Sequence, residues 1–204
     1  KINNTYIGTN SFVTLKNIRD INVLIVGNAF NPGIYTINGN SNMLHALNIA
    51  GGINEYGSYR DIELVRDGEV IDTLDIYKVL ISGTHNLLSG LRSGDSIIVN
   101  PIQNTVYVES GLQRVGIYEL LDNETISDLI RYANGYSRFA DKRNIQIKRA
   151  FEGDYSSFKI NPEEISSFEV KNGDSLYVRE FRVNSVLVEG EVKNPGNYKF
   201  PIGT

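Results

Sequence analysis

Cysteine is absent from the 204 residues, which removes disulfides, thiol nucleophiles and thiolate metal sites together. Histidine is nearly absent. His45 and His85 stand alone, without the convergent partners that a zinc site or a catalytic triad needs, so both read as solvated side chains. Basic residues are outnumbered, 20 Lys and Arg against 24 Asp and Glu, for a net charge of −4. Nucleic acid is therefore not an expected partner, since phosphate recognition needs a cationic footprint. No apolar run approaches the ~18 residues of a membrane-spanning helix, and Lys1-Ile2-Asn3-Asn4 opens no signal-peptide core; no membrane contact is expected within this segment. Glycine-rich phosphate loops and a G-x-S-x-G nucleophile elbow are missing as well. Carboxylate pairs such as Asp61/Glu63 and Asp72/Asp75 are present, but the first lies on one face of a strand with nothing apolar around it to raise a pKa for acid–base work. No catalytic residue, metal or cofactor is expected. What remains is a chain with 41% hydrophobic residues, enough for a buried core, and long enough for one large domain or two small ones.

The chain repeats itself, and a repeat decides the fold before any local rule. Pro32-Gly33-Ile34-Tyr35 returns as Val115-Gly116-Ile117-Tyr118, an offset of 83 from Gly33 to Gly116. The same offset carries Ala50-Gly51-Gly52 onto Ala133-Asn134-Gly135, Arg60 onto Arg143, and Leu64-Val65-Arg66 onto Ile147-Lys148-Arg149. Gly94-Asp95-Ser96 then maps onto Gly173-Asp174-Ser175 at an offset of 79. Two copies follow, at 21–102 and 103–181. A third begins at 182–204, where Val186-Leu187-Val188-Glu189-Gly190 and Asn194-Pro195-Gly196-Asn197-Tyr198 match the opening of the first. Residues 1–20, with Ser11-Phe12-Val13-Thr14-Leu15, read as the closing strand of an earlier copy. The expectation is a segment of a longer array.

Within one copy, Val23-Leu24-Ile25-Val26 reads as a strand ending at Gly27. Asn31-Pro32-Gly33 is a turn, and Ile34-Tyr35-Thr36-Ile37 alternates as the second strand of a hairpin. A helix follows. Its apolar stripe is Met43, Ala46, Leu47 and Ala50 in one copy and Ile126, Leu129, Ile130 and Ala133 in the other. Thr125-Ile126-Ser127-Asp128 has the form of a capping box, and Gly51-Gly52 and Gly135 end the helices. Asp67-Gly68 joins two alternating strands. Leu74 to Ile81 reads as a short helix or an irregular crossover, and Asp95 to Val99 as a last buried strand. The order ββ-α-ββ-(short helix)-β fits an α+β chain of tandem β-grasp (ubiquitin-like) domains, each a small mixed sheet around one helix, with partial repeats at both ends.

With these residues in place, each copy resembles the soluble-ligand-binding β-grasp (SLBB) domain. The resemblance is carried by Val26-Gly27, Pro32-Gly33-Ile34-Tyr35, Ala50-Gly51-Gly52, Arg60, Asp75-Ile76-Tyr77 and Gly94-Asp95-Ser96-Ile97-Ile98-Val99. The second copy departs from it at Val115, Asn134 and Asn161-Pro162-Glu163. The resemblance implies a non-catalytic repeat module of a bacterial polysaccharide biosynthesis/export protein, periplasmic and associated with the outer membrane. Its expected partners are other copies of itself, in a ring or stacked oligomer through open strand edges, and polysaccharide.

One further constellation bears on binding. After each helix, a loop carries aromatic and arginine side chains: Tyr56, Tyr59 and Arg60, then Tyr136, Arg138, Phe139 and Arg143. Tyr faces and Arg forks suit sugar rings and acidic groups, so Tyr56, Tyr59, Arg60, Tyr136, Arg138 and Arg143 are the ligand-binding candidates. The competing reading is that Arg60 and Arg143 pin their loops to a carboxylate or to a neighbouring copy.

Overall fold

The computed structural model describes residues 19–83, 89–151, 154–181 and 183–201. The strand expected at 11–15, and His85, lie outside them. The chain divides into two compact units. One gathers Lys1–Gly57, Asp61–Asp75 and His85–Pro101, and the other Ser58–Arg60, Ile76–Thr84 and Ile102–Thr204.

The first sheet starts with the hairpin of β1 (Asp20–Gly27) and β2 (Gly33–Asn38), paired antiparallel from Asp20↔Asn38 to Ile25↔Gly33. Period-two alternation buries Val23, Ile25 and Ile37 and leaves Ile34 exposed. Helix α1 (Met43–Ile49) begins at Asn42, whose side chain accepts the His45 N–H. Its Met43, Ala46 and Leu47, with Ala50 beyond, are all buried. Each larger aliphatic chain so removed from water contributes about 1.5–3 kcal/mol. Strands β3 (Gly57–Arg66) and β4 (Glu69–Leu74) turn at Asp67 and Gly68, with φ of 52° and 85°, as a tight hairpin with both central residues at positive φ requires. The segment after β4 is a helix, α2 (Ile76–Ser82). Strand β5 (Ser96–Pro101) closes the sheet, parallel to β1 and antiparallel to β3, giving the order β2-β1-β5-β3-β4. This is the β-grasp.

The second sheet repeats the first. Strands β6 (Thr105–Ser110), β7 (Gly116–Glu119), β8 (Ala140–Phe151), β9 (Asp154–Ile160) and β10 (Ser175–Glu180) run in the order β7-β6-β10-β8-β9. Helix α3 (Ile126–Tyr132) has the expected box, the Asp128 carboxylate accepting from the Thr125 N–H at 3.0 Å. Its stripe packs into a core with Val106, Val108, Leu120, Ile145, Ile147, Leu176 and Val178. In place of α2 stand hydrogen-bonded turns, Glu164 N–H to the Asn161 carbonyl and Ser167 N–H to that of Glu164. Beyond β10, β11 (Val183–Val188) and β12 (Gly196–Pro201) form a two-stranded sheet.

Two devices recur in both sheets. Arg66 grips Asp95 with two bonds of 2.7 and 2.8 Å, and Arg149 grips Asp174 with two of 2.7 Å. Both aspartates are buried, and each also accepts a backbone N–H three residues upstream, from Arg92 or Lys171. Such forks are geometrically specific as well as strong. The second device is a glycine at the end of the first strand. A Cβ on Gly27 would lie 2.2 Å from the Val99 carbonyl oxygen, and one on Gly111 would lie 2.5 Å from Val178, so only glycine allows the parallel strand to approach.

Candidate functional site

The site is built on a break in β3. Gly57 pairs with Pro101 and Ile62 with Val99, so four residues, 58–61, face Asn100 alone. The extra residues loop out as a large bulge, a device that re-aims side chains. Asn100 donates to Asp61 at 3.0 Å, and the Arg60 N–H donates to Ser58 Oγ at 3.0 Å, closing the bulge on itself. Ser58–Arg60 belongs to the second compact unit.

There the bulge meets two carboxylates. Glu119, at the end of β7 and buried, accepts from the Ser58 hydroxyl and, at 2.8 Å, from the Tyr59 N–H. Glu124, just before α3, receives Arg60 Nη1 at 2.5 Å, the Leu121 N–H at 2.9 Å and the Tyr132 hydroxyl. Arg60 is 5% exposed, with its guanidinium carbon 4.9 Å from the Tyr77 ring centroid and 5.2 Å from that of Tyr132. The two rings meet edge to face at 5.2 Å. Aromatic faces stabilise a desolvated cation. Burial pushes both phenols above the usual tyrosine range, and for Tyr132 the bond to Glu124 adds to it; the Tyr132 hydroxyl donates to Glu124, while that of Tyr77 accepts the Glu119 N–H at 3.1 Å. The cluster opens on a cleft of about 390 Å³ whose rim includes Lys78, Ile81, Leu121 and Arg131. Among the described residues no group of acidic or histidine side chains could hold a metal ion. Chemically it is a lock: a buried cation held by carboxylates and rings.

The six candidate residues are not gathered into one place. Arg60 lines the cleft, and Tyr59 is tied to Glu119 through its backbone while its ring is exposed. Tyr56 is exposed, its N–H on the Asn54 side chain. Tyr136 packs on the second core under Lys142, 5.0 Å from its ring. Arg138 is exposed beside Phe139. The Arg143 side chain is 85% exposed and comes only to 4.0 Å of Asp141. Glu119, Glu124, Tyr77 and Tyr132 complete the site without having been singled out as its partners; the Asp75-Ile76-Tyr77 motif was the one available signal for any of them.

Fold and site together define a tandem β-grasp protein whose two sheets share one strand order and one Arg–Asp clamp. A family model for the SLBB domain matches residues 22–73, 106–159 and 185–204, and the chain belongs to that family. Two curated relatives, each a polysialic acid transport protein KpsD of Escherichia coli, are 33% identical over 203 residues, covering 96% of this chain and 35% of their own length. The chain thus spans about a third of the length of these relatives.

Proposed function

We propose that this chain is a non-catalytic repeat module of a bacterial polysaccharide export protein, providing scaffold contacts between repeats and between subunits in the periplasm, below the outer membrane. Its family membership and its likeness to a polysialic acid transport protein support the export role. The observation that carries the scaffold reading is Arg60: a sugar-binding arginine would be presented to solvent, whereas this one is buried against Glu124 and two tyrosine rings. Repeats of this kind gain stability from neighbour contacts and build extended walls.

The test is made in the native bacterium with the full-length protein lacking residues 21–181. The reading expects polymer synthesis to continue while surface polysaccharide is lost and polymer accumulates inside the envelope. Unchanged surface polysaccharide contradicts an export role.

A further inference from the structure

A second cleft of the second unit, of about 400 Å³, opens beside the first, and Leu121 lines both. It lies where the start of β6, the turn from β7 into α3 and the approach to β10 come together. Its polar lining is Asn104, Asp122, Asn123, Glu169, Lys171 and Asn172. The same three stretches meet in the first unit, and their backbones are tied alike. The Val170 N–H donates to the Glu124 carbonyl at 3.3 Å, as that of Leu91 does to the Ser41 carbonyl at 3.4 Å. Arg149 donates to the Glu169 carbonyl at 3.4 Å, as Arg66 does to that of Gly90 at 3.1 Å. The Thr105 N–H donates to the Asn172 side chain at 2.9 Å, as that of Asn22 does to Ser93 Oγ at 3.3 Å.

The side chains are what differ. Ile21, Gly39, Gly90 and Ser93 stand where the second copy has Asn104, Asp122, Glu169 and Asn172. The first copy closes the same backbone without amides or carboxylates at these places, so the fold does not require them. Nor does it use them fully. Asn172 gives its carbonyl oxygen to Thr105, as Ser93 gives its hydroxyl to Asn22, and its NH2 group stays free among the described residues. Asp122 accepts the Asn104 NH2 group at 3.0 Å with one oxygen and keeps the other. Among the described residues the side chains of Asn123, Glu169 and Lys171 make no hydrogen bond or ion pair.

We propose that this cleft binds an uncharged sugar unit of a saccharide chain. Neighbouring hydroxyls of a sugar ring each donate and accept, which matches amides and carboxylates set side by side. The exposed Leu121 and half-buried Val170 offer the ring's C–H face an apolar edge. The volume falls in the range of small-molecule sites, about 300–1,000 Å³. Two carboxylates against one ammonium turn away an anion, and no metal-holding group of side chains is found among the described residues. The inference rests on the export reading for its ligand, and it gives that reading a point of contact with the polymer.

The side-chain amide signals of Asn104, Asn123 and Asn172 are followed by heteronuclear NMR while the chain is titrated with maltotriose, with diacetylchitobiose and with oligosialic acid. Glycerol is the control for hydroxyl content. The expected result is a saturable shift with a neutral oligosaccharide, at a Kd of about 1 mM. The triple variant Asp122→Gly, Glu169→Gly, Asn172→Ser carries the first copy's own residues and so keeps the backbone ties; it should bind at least about tenfold more weakly. Glu169→Ala alone, at an exposed position, should weaken binding about threefold. Shifts that stay linear, that glycerol reproduces, or that survive both variants overturn the site. Tighter binding of oligosialic acid than of either neutral probe overturns the assignment to an uncharged unit. The export reading fails separately, if surface polysaccharide is unchanged without residues 21–181, whatever the cleft binds.

Discussion

Replacing Glu124 by Gln keeps the shape of the lock and removes the carboxylate that Arg60 Nη1 meets at 2.5 Å. Arg60 is 5% exposed, so the cation cannot recover its hydration without opening the unit. The Glu119 carbonyl at 3.5 Å and the two ring faces are among the contacts that remain, but they were present before and offset nothing new. Removing one partner of a buried pair costs about 3–5 kcal/mol. The Glu124 side chain is 16% exposed, which lets water reach the gap and brings the expectation to the lower end, about 3 kcal/mol. For a unit of this size that corresponds to roughly 10–20 °C in melting midpoint. Denaturant unfolding, with hydrogen exchange at the α3 amides as the local probe, measures it. Tyr132→Phe, which deletes one hydrogen bond to the same carboxylate, is the scale marker at about 1 kcal/mol. A loss below about 0.5 kcal/mol for Glu124→Gln, the range of an exposed ion pair, would refute the lock.

Gly27→Ala and Gly111→Ala force a Cβ into the facing strand and should each destabilise by about 2 kcal/mol or more, whereas Gly190→Ala, with open space around it, should cost about 1 kcal/mol from its positive φ alone; urea midpoints compare the three. Arg149→Ala strands Asp174, which is fully buried, and should cost about 3 kcal/mol, read from unfolding of the second unit. Burial alone would push the Asp95 carboxyl up, but the Arg66 fork and the Arg92 N–H outweigh it and hold the group below the usual carboxylate range. A lowered folded-state pKa gives stability that is complete above the unfolded value of about 3.9 and lost as pH falls through the folded value. Asp95→Asn should therefore flatten the acid limb of the stability profile below about pH 4 while lowering stability at neutral pH; an unchanged acid limb would contradict the assignment.

What was legible in the sequence was whatever a short stretch determines for itself. Asp67-Gly68 dictates its hairpin, Asp128 caps its own helix, and the stripe of Met43, Ala46, Leu47 and Ala50 needs only the helical period to find the core. The recurrence of these signals at fixed offsets extended local rules to a whole sheet order, which is why both sheets agree strand for strand. The partners of Arg60 were not legible. Glu124 lies 64 residues away, and the repeat itself hid it, because Thr36 and Ser41 stand in the first copy where Glu119 and Glu124 stand in the second. Nor does a strand pattern announce a bulge of four residues against one. Tyr59 and Arg60 are neighbours in sequence, yet the bulge leaves the one ring in solvent and buries the other side chain.

The central claim is that Arg60 stabilises the unit it belongs to and does not hold a sugar. An acidic oligosaccharide such as oligosialic acid, titrated calorimetrically against the chain and its Arg60→Met variant alongside denaturant unfolding of both, tests it directly. The account predicts a large loss of stability in Arg60→Met with no change in saccharide binding. Lost saccharide affinity at unchanged stability would contradict it.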